Sequence, residues 1–307
     1  MKRVGYIIYM FVFAALMGCE SDLNLKLEES GGNLVLFSFI QPDSIFKVHV
    51  SKSVSHSSMN DYDRIYDGYV RIKKNGVPLD SFPWPFKELW TSRPLITIKA
   101  GDQIDISVTD GDNNRATGST TVLHPVKILD VSMKSAEEST NSENRSCTIT
   151  FSDPPEVDNF YQLTIIEEVW IKDETLPRSS KNVRYLKDDQ VFYIRDQEGS
   201  LLGGIDFSGT FSDYLITKNP YKLQIRIPRI YFREPAQNEK RKLVFQLLSL
   251  TKDYYDYSRS RIVAEYNQKL PVVNPVKIHN NIKGGLGLVG GISADTLSIS
   301  FIGEDYN

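Results

Sequence analysis

Residues 221–227 read Tyr-Lys-Leu-Gln-Ile-Arg-Ile, so large apolar and polar side chains alternate with a period of two. Residues 46–50 and 104–108 repeat this pattern, with Phe, Val and Ile at the apolar positions. Such alternation is typical of antiparallel strands that have one buried face and one face in water. Asn-Gly at 75–76 and Asp-Gly at 110–111 predict hairpin turns, because these residues tolerate the positive φ that tight turns require. The sequence therefore predicts an all-β fold.

The spacing of these segments predicts two β domains. Residues 34–130 hold about six or seven short strands, which fits an immunoglobulin-like β-sandwich. Residues 131–145 are polar and predict a linker or a long hairpin, and residues 146–307 predict a second, mainly antiparallel β domain. We expect one helix near the C-terminus, at about 251–267, with Thr251 as its N-cap. The helix face that packs on a sheet is predicted, from four-residue steps, to contain Tyr254, Ser258, Ile262 and Tyr266.

The composition is that of an ordinary globular protein, with 40% hydrophobic and 24% charged residues in a chain of 307. These values exclude a disordered, collagen-like or disulfide-dense chain. Thirty-six basic and 39 acidic residues give a net charge of −3. No nucleic-acid partner is expected, because such partners require a basic patch on a basic domain.

The N-terminus predicts export and lipid attachment. Two basic residues and an apolar run precede Cys19, and this run of about 13 residues is shorter than the roughly 20 that a membrane-spanning helix needs. We therefore predict a signal peptide at 1–18, cleavage before Cys19 and a lipid on its thiol. The lipid would hold the protein in a membrane without a spanning helix. The alternative is an ordinary signal peptide with an incidental cysteine nearby.

Residues 19–33 are expected to form an acidic tether. Glu20, Ser21 and Asp22 follow Cys19 directly, and such a cluster resembles the surface-export signal of lipoproteins from the phylum Bacteroidota. A solvated spacer also explains these residues, since the segment has little apolar surface to bury. The two interpretations are compatible.

The sequence contains none of the patterns that indicate catalysis or metal binding. The four histidines have no metal-ligand spacing, and no Gly-x-Ser-x-Gly or HExxH motif occurs. Gly285, Gly287 and Gly290 match a dinucleotide-binding motif literally, but only 17 residues follow, so a strand with close backbone contacts is predicted instead. Cys147 alternates with Ile149 and is predicted to be a buried, unreactive thiol. We therefore expect no catalytic residue, metal or cofactor, and no enzymatic activity.

One segment suggests a binding surface. Residues 82–86 read Phe-Pro-Trp-Pro-Phe, and Trp90 follows closely. The prolines keep the segment out of a regular sheet, so it would present large rings from a loop, where aromatic residues bind sugars or protein partners. The candidate residues are Trp84, Phe86 and Trp90. The alternative is that these rings close one end of the sandwich core.

Four segments together resemble a family of Bacteroidota lipoproteins known as domain of unknown function 4249. Asn274-Pro275-Val276 with residues 280–287, Asn-Asn-Ile-Lys-Gly-Gly-Leu-Gly, is similar to the C-terminal motif of that family. Residues 151–154, 211–215 and 250–257 resemble further family motifs, in family order. The chain departs from the pattern at 216–219 and at Val289, which affects local loops.

This resemblance implies an outer-membrane lipoprotein of the kind often encoded beside TonB-dependent transporters of the SusC type, and it brings no catalytic residues. We expect a lipid-anchored protein of the outer membrane that faces the cell exterior. It would be an accessory or capture subunit of a TonB-dependent, SusC-like nutrient uptake system, with the transporter as its partner. The alternative is a non-catalytic envelope scaffold or adhesion protein without a small-molecule ligand. A glycan hydrolase is disfavoured, since no convergent pair of carboxylates is visible.

Overall fold

The computed structural model describes residues 31–55, 58–84, 90–94, 96–134, 143–193, 205–268 and 276–304. This part of the chain is mostly β-structure with one α-helix, α1 (Lys252–Asn267). Its strands are β1 (Leu34–Ile40), β2 (Phe46–Lys52), β3 (Tyr69–Lys74), β4 (Val77–Pro83), β5 (Trp90–Arg93), β6 (Gln103–Thr109), β7 (Arg115–Thr121), β8 (Ile128–Met133), β9 (Asn144–Phe151), β10 (Phe160–Ile171), β11 (Ser179–Asn182), β12 (Leu186–Lys187), β13 (Thr210–Ser212), β14 (Tyr221–Pro228), β15 (Glu239–Leu250) and β16 (Leu286–Ile302). The all-β class is confirmed.

The first sandwich packs two sheets against each other. One contains β1, β2, β5 and the first part of β16, and the other has the order β4-β3-β6-β7. The period-two alternation sends Val48 and Val50 of the first sheet toward Ile104 and Ile106 of the second, and all four are at most 1% exposed. The immunoglobulin-like sandwich is thereby confirmed for this part of the chain.

Both predicted hairpins are present. Asn75 and Gly76 join β3 to β4 with φ of 52° and 78°, as their residue types require. The turn between β6 and β7 begins at Asp110, but its positive φ falls on Asn113, at 62°, and not on the Asp-Gly pair. The reason is that the Asp110 carboxylate accepts the backbone N–H of Asn114, 2.9 Å away, which shapes the turn from its first residue.

Asp110 is also part of a buried ion pair. Its side chain is 1% exposed and lies 2.9 Å from the ammonium group of Lys52 on β2, which links the two sheets. Burial by itself would raise the pKa of Asp110, but hydrogen bonds from Asn114 and Lys52 outweigh it and hold the pKa below its ordinary value. The same contact raises the pKa of Lys52. The carboxylate therefore stays ionised at neutral pH.

The second sandwich has the same two-layer plan. One sheet contains β11, β10, β15, the last part of β16 and β13, and the other has the order β12-β14-β9-β8. Leu223 and Ile225 of the opening alternation meet Phe245 and Leu247 of β15 in its core. Cys147 lies among them with no exposed surface, and burial raises its thiol pKa to about 12. The expected buried thiol is therefore observed.

Strand β16 belongs to both sandwiches. Its residues 286–291 pair in parallel with β1, and residues 292–302 pair antiparallel with β15. The glycine-rich segment is thus a strand with close backbone contacts, as predicted. Gly287 has φ of 120°, and a Cβ there would lie 2.1 Å from the carbonyl oxygen of Leu36. Only glycine lets the β1 backbone approach this closely.

Strand β8 crosses the boundary predicted at 130, and its residues 128–133 pair with β9 in the second sandwich. Strands β8 and β9 thus flank the segment predicted as a linker or long hairpin, of which residues 135–142 lie outside the described residues. The signal peptide at 1–18 and most of the tether at 19–33 also lie outside them. The limits of the signal peptide and of the tether remain predictions.

The helix begins and ends where it was expected, with Thr251 at the N-cap position. Its packing face was predicted in part. Tyr254 packs on the sheet against Phe39, whereas Tyr266 is exposed. The buried residues are Tyr255, Arg259, Val263 and Ala264. Arg259 is buried on this face, where its guanidinium carbon lies 3.7 Å from the centre of the Phe207 ring. A charged side chain is not expected on a buried face, so the sequence pattern pointed to the neighbouring stripe.

Candidate binding surface

The structure separates the aromatic residues that the sequence nominated. Trp84 is 4% exposed and packs in the core of the first sandwich. This agrees with the alternative that the rings of this segment belong to the core. Trp90 begins β5 and is 45% exposed. Phe86 lies outside the described residues. Of the two tryptophans nominated from the sequence, Trp90 is thus the one that an external ligand can reach.

Trp90 belongs to a larger group of rings on the outer side of the first sandwich. The indole centre lies 5.2 Å from the His49 ring and 6.3 Å from the Phe39 ring. Aromatic rings at these separations attract one another and hold each other in place. The group, named here the aromatic surface, consists of Phe37, Phe39, His49, Trp90, Tyr254 and Tyr257.

Strand register explains why these rings meet. Phe37 is paired with His49 across β1 and β2, and His49 is paired with Trp90 across β2 and β5. Side chains paired in this way point to the same side of a sheet and lie about 5 Å apart. Residues 34–40, Leu-Val-Leu-Phe-Ser-Phe-Ile, carry apolar residues on both faces. Apolar residues on both faces of this run indicate that the outer face of β1 also makes contacts with apolar side chains.

Helix α1 contributes the remaining two rings of the aromatic surface. The Tyr254 ring meets Phe39 edge-on at 5.5 Å, and Tyr257 meets Phe37 at 5.7 Å. The hollow under Tyr254 exists because Gly290 has no side chain, and a Cβ there would lie 3.1 Å from the Tyr254 Cβ. Burial raises the pKa of both tyrosines, so their phenols are neutral at physiological pH.

A second contact fixes the helix on the sheet. The amide of Asn281 accepts the backbone N–H of Val289 at 3.0 Å and donates to the Val289 carbonyl at 2.9 Å, as a neighbouring strand would. It also donates to the Asp253 carboxylate in the first turn of α1, at 3.0 Å. His279 lies 2.8 Å from the same carboxylate. The position of the helix, and with it that of Tyr254, therefore depends on this segment.

An acidic groove of about 590 Å³ lies on the second sandwich and includes Asp153, Glu156, Asp158 and Asp213. Asp153 accepts a hydrogen bond from the Tyr161 hydroxyl at 2.6 Å. Burial raises the pKa of Asp153. Asp213 accepts the backbone N–H of Asn159 at 2.8 Å. Asp153 thus joins its loop to β10, and Asp213 joins its segment to the loop that precedes β10.

Within the described residues, no group of three His, Cys, Asp or Glu side chains is placed to hold a metal ion. No described helix is long and apolar enough to cross a membrane. Cys19 and the segment Glu20, Ser21 and Asp22 lie outside the described residues, so lipid attachment and surface export remain predictions.

Comparison with solved structures gives distant similarities. A two-domain fibronectin type III segment of chicken tenascin is 11% identical, over 71% of this chain and 90% of that one, with a TM-score of 0.22. A glycoside hydrolase family 2 β-glucuronidase is 8% identical over 90% of this chain, with a TM-score of 0.23. A β-glycosidase from Bacteroides vulgatus is 11% identical over 71% of this chain, with a TM-score of 0.21. This chain covers 21% and 23% of those two enzymes.

Comparison by sequence is more informative. No curated protein matches the chain at a significant level. The family model for the domain of unknown function DUF4249, in contrast, matches residues 20–298, which include α1 and all but the last four residues of the strands in both sandwiches. Of the C-terminal residues that carried the resemblance, Leu286 and Gly287 begin β16 and Asn281 binds the Val289 backbone. The chain belongs to the DUF4249 family.

Proposed function

We propose that this protein is a lipid-anchored outer-membrane protein of the cell surface that serves a TonB-dependent, SusC-like transporter as an accessory or capture subunit. The lipid on Cys19 would hold it in the membrane, and the acidic segment would route and space it. Membership of the DUF4249 family, the predicted signal peptide and the cysteine that follows it support this proposal.

The observation that carries the proposal is that Trp90 is exposed while it packs against other rings of the aromatic surface. A large ring that is 45% exposed leaves apolar area in water, and a partner that covers it gains the free energy of its burial. Tryptophan and tyrosine dominate protein interfaces energetically. The neighbouring rings hold the indole in place, so little side-chain entropy is lost on binding. We assign the aromatic surface to contact with the transporter.

Co-purification from detergent-solubilised outer membranes tests this assignment. The wild-type protein should retain a TonB-dependent receptor, and Trp90→Ala should retain about tenfold less, as expected for an interface tryptophan. Tyr214→Ala is the matched control, because Tyr214 is 78% exposed on the second sandwich. Equal recovery by the wild type and Trp90→Ala would remove the aromatic surface from the interface. Absence of any receptor with the wild type would favour the scaffold or adhesion alternative.

Anchoring is tested separately. Cys19→Ala should move the protein from the membrane to the soluble fraction, because the lipid is the proposed attachment. Protease added to intact cells should digest the wild-type protein. Retention of the variant in the membrane would contradict the anchor, and protection from the protease would place the protein on the inner side of the membrane.

A further inference from the structure

The first sandwich carries a second surface feature on the side opposite the aromatic surface. It is a groove of about 630 Å³ on the outer face of β3, β6 and β7. The segment around Lys283 forms one wall, because its backbone pairs with Thr117 on the edge of β7 through hydrogen bonds of 2.8 and 2.9 Å. This feature is named here the polar groove. Its charged and hydroxyl residues come from sequence segments more than 200 residues apart.

Strand register aligns the central row of the polar groove. Arg71 pairs with Ser107, Ser107 pairs with Thr117, and Thr117 pairs with Lys283. Paired residues on neighbouring strands are about 4.8 Å apart, so the row extends over roughly 14 Å. It places a cation at each end and two hydroxyl groups between them. Every second residue of these strands faces outward, so all four side chains lie on the groove side.

The polar groove is fixed from beneath. Ile282, next to Lys283, is 5% exposed and enters the core through the space that Gly118 leaves. A Cβ at Gly118 would lie 2.5 Å from the Ile282 Cδ1. With Ile282 buried, the alternation of the segment turns Lys283 toward the groove. Burial of Ile282 thus holds the backbone of Lys283 in place at this end of the groove.

The charge of the polar groove is unbalanced. Arg71, Lys73, Arg115 and Lys283 line it with a single carboxylate, Asp105. None of these four cations forms an ion pair with another described residue, whereas many cations elsewhere do, for example Lys52 and Arg226. The protein as a whole carries a net charge of −3. A local excess of positive charge on an acidic protein indicates an anionic ligand.

The side chains between the cations indicate what else the ligand carries. Ser107, Thr109, Thr117 and Ser119 can each donate and accept a hydrogen bond. Such a lining suits a molecule rich in hydroxyl groups. Arginine binds carboxylates through two parallel hydrogen bonds. We propose that the polar groove binds an acidic oligosaccharide, with its carboxylates at Arg71 and Lys283 and its hydroxyl groups at Ser107 and Thr117.

Other anionic partners fit the polar groove less well. Single-stranded nucleic acid needs aromatic rings for base stacking, and the described residues that line the groove include none. The neighbouring Tyr69 ring is stacked by the Arg71 guanidinium, which lies 4.7 Å from its centre. The core of a protein interface is rich in aromatic residues and methionine, which the lining also lacks. An interfacial membrane contact inserts exposed apolar side chains, and the one large apolar residue of the lining, Ile106, is 1% exposed.

Calorimetric titration of the purified full-length protein in detergent tests the proposal. The probes are tetragalacturonic acid and neutral galactotetraose of the same length. The acidic probe should bind at low salt and more weakly as salt rises, whereas the neutral probe should bind at least tenfold more weakly. Arg71→Ala and Lys283→Ala should each weaken binding about fivefold, as for exposed charge pairs. Lys222→Ala, which removes an exposed strand lysine from the second sandwich, is the matched control.

A double variant, Ser107→Ala with Thr117→Val, keeps the charges and removes the hydroxyl groups. It should weaken binding of the acidic probe about fivefold. Near-ultraviolet circular dichroism and the urea midpoint show that each variant is folded. Equal affinity for the two probes would overturn the proposal. So would a loss of affinity in Lys222→Ala as large as that in Arg71→Ala or Lys283→Ala. Binding to phosphatidylglycerol vesicles without binding to the acidic probe would also overturn it. No transporter enters this experiment, so its outcome is independent of the co-purification test.

Discussion

Replacing Asn281 by alanine removes the side chain that ties β16 to the start of α1. The Asn281 amide forms hydrogen bonds of 3.0, 2.9 and 3.0 Å to the Val289 N–H, the Val289 carbonyl and the Asp253 carboxylate. Val289 has no exposed surface, so its backbone groups have no ready access to water in the variant. A buried donor or acceptor that loses its partner destabilises a protein more than the net value of one hydrogen bond.

The expected magnitude follows from these three bonds. Each contributes about 1 kcal/mol net, and leaving the two Val289 groups unpaired adds to the loss, so Asn281→Ala should lower the free energy of unfolding by about 3–4 kcal/mol. Asn281→Asp should be at least as destabilising, because a carboxylate cannot donate to Val289 and is repelled by Asp253. Gln224→Ala removes an amide with one exposed hydrogen bond, to Thr148, and should cost less than about 1 kcal/mol.

Urea unfolding followed by tryptophan fluorescence and far-ultraviolet circular dichroism measures these differences. With an m-value of about 3 kcal/mol/M, the Asn281→Ala midpoint should fall by about 1 M. Because β16 crosses both sandwiches, the two signals should shift together. A midpoint within about 0.3 M of the wild type, on the same m-value, would refute the claim that Asn281 substitutes for a strand neighbour.

Three further predictions concern core packing, pH and the free thiol. Trp84→Ala should destabilise the protein by about 3–5 kcal/mol, and Trp90→Ala by less than about 1 kcal/mol, in the same urea assay; similar losses would contradict the assignment of only Trp84 to the core. Lys52→Met should lose about 2 kcal/mol at neutral pH. Because the pKa of Asp110 is held below 3.8, its stabilising effect is complete above that pH and is lost as pH falls through the lowered pKa. The difference between variant and wild type should therefore shrink below pH 3.8, and a constant difference on acid titration would exclude the ion pair as its cause. Cys147 should react with a thiol reagent only after denaturation, because burial raises the pKa of its thiol to about 12. If Cys19 carries the lipid, the denatured mature protein should show one reactive thiol.

The strands were predictable where each had one wet face. Segments such as 104–108 and 221–227 alternate cleanly because water selects polar residues at every second position. Strand β16 could not be predicted in this way. Its residues 287–293 are all buried, since the sheet core lies on one side and α1 on the other. Its parallel pairing with β1 joins segments about 250 residues apart, and no local pattern encodes such a pairing.

The candidate surfaces were predictable in part. Trp90 was identified because a tryptophan near two prolines is conspicuous, but Phe37 and Tyr257 join it only through register and helix packing. No pattern in the sequence predicted the polar groove. Arg71, Ser107 and Lys283 are ordinary polar residues of three separate segments, and each by itself indicates a solvated face. Their alignment depends on which strands are neighbours, which the sequence pattern leaves open.

The aromatic surface and the polar groove can be occupied at the same time. They lie on the outer faces of the two sheets of one sandwich, whose backbones are about 10 Å apart. The Lys52–Asp110 ion pair and the apolar core connect these sheets, and β16 connects the sandwich to the second one. A partner bound at Trp90 therefore leaves Arg71 and Lys283 open to a ligand. A capture subunit requires this arrangement, because it must hold its cargo while it remains attached to the transporter.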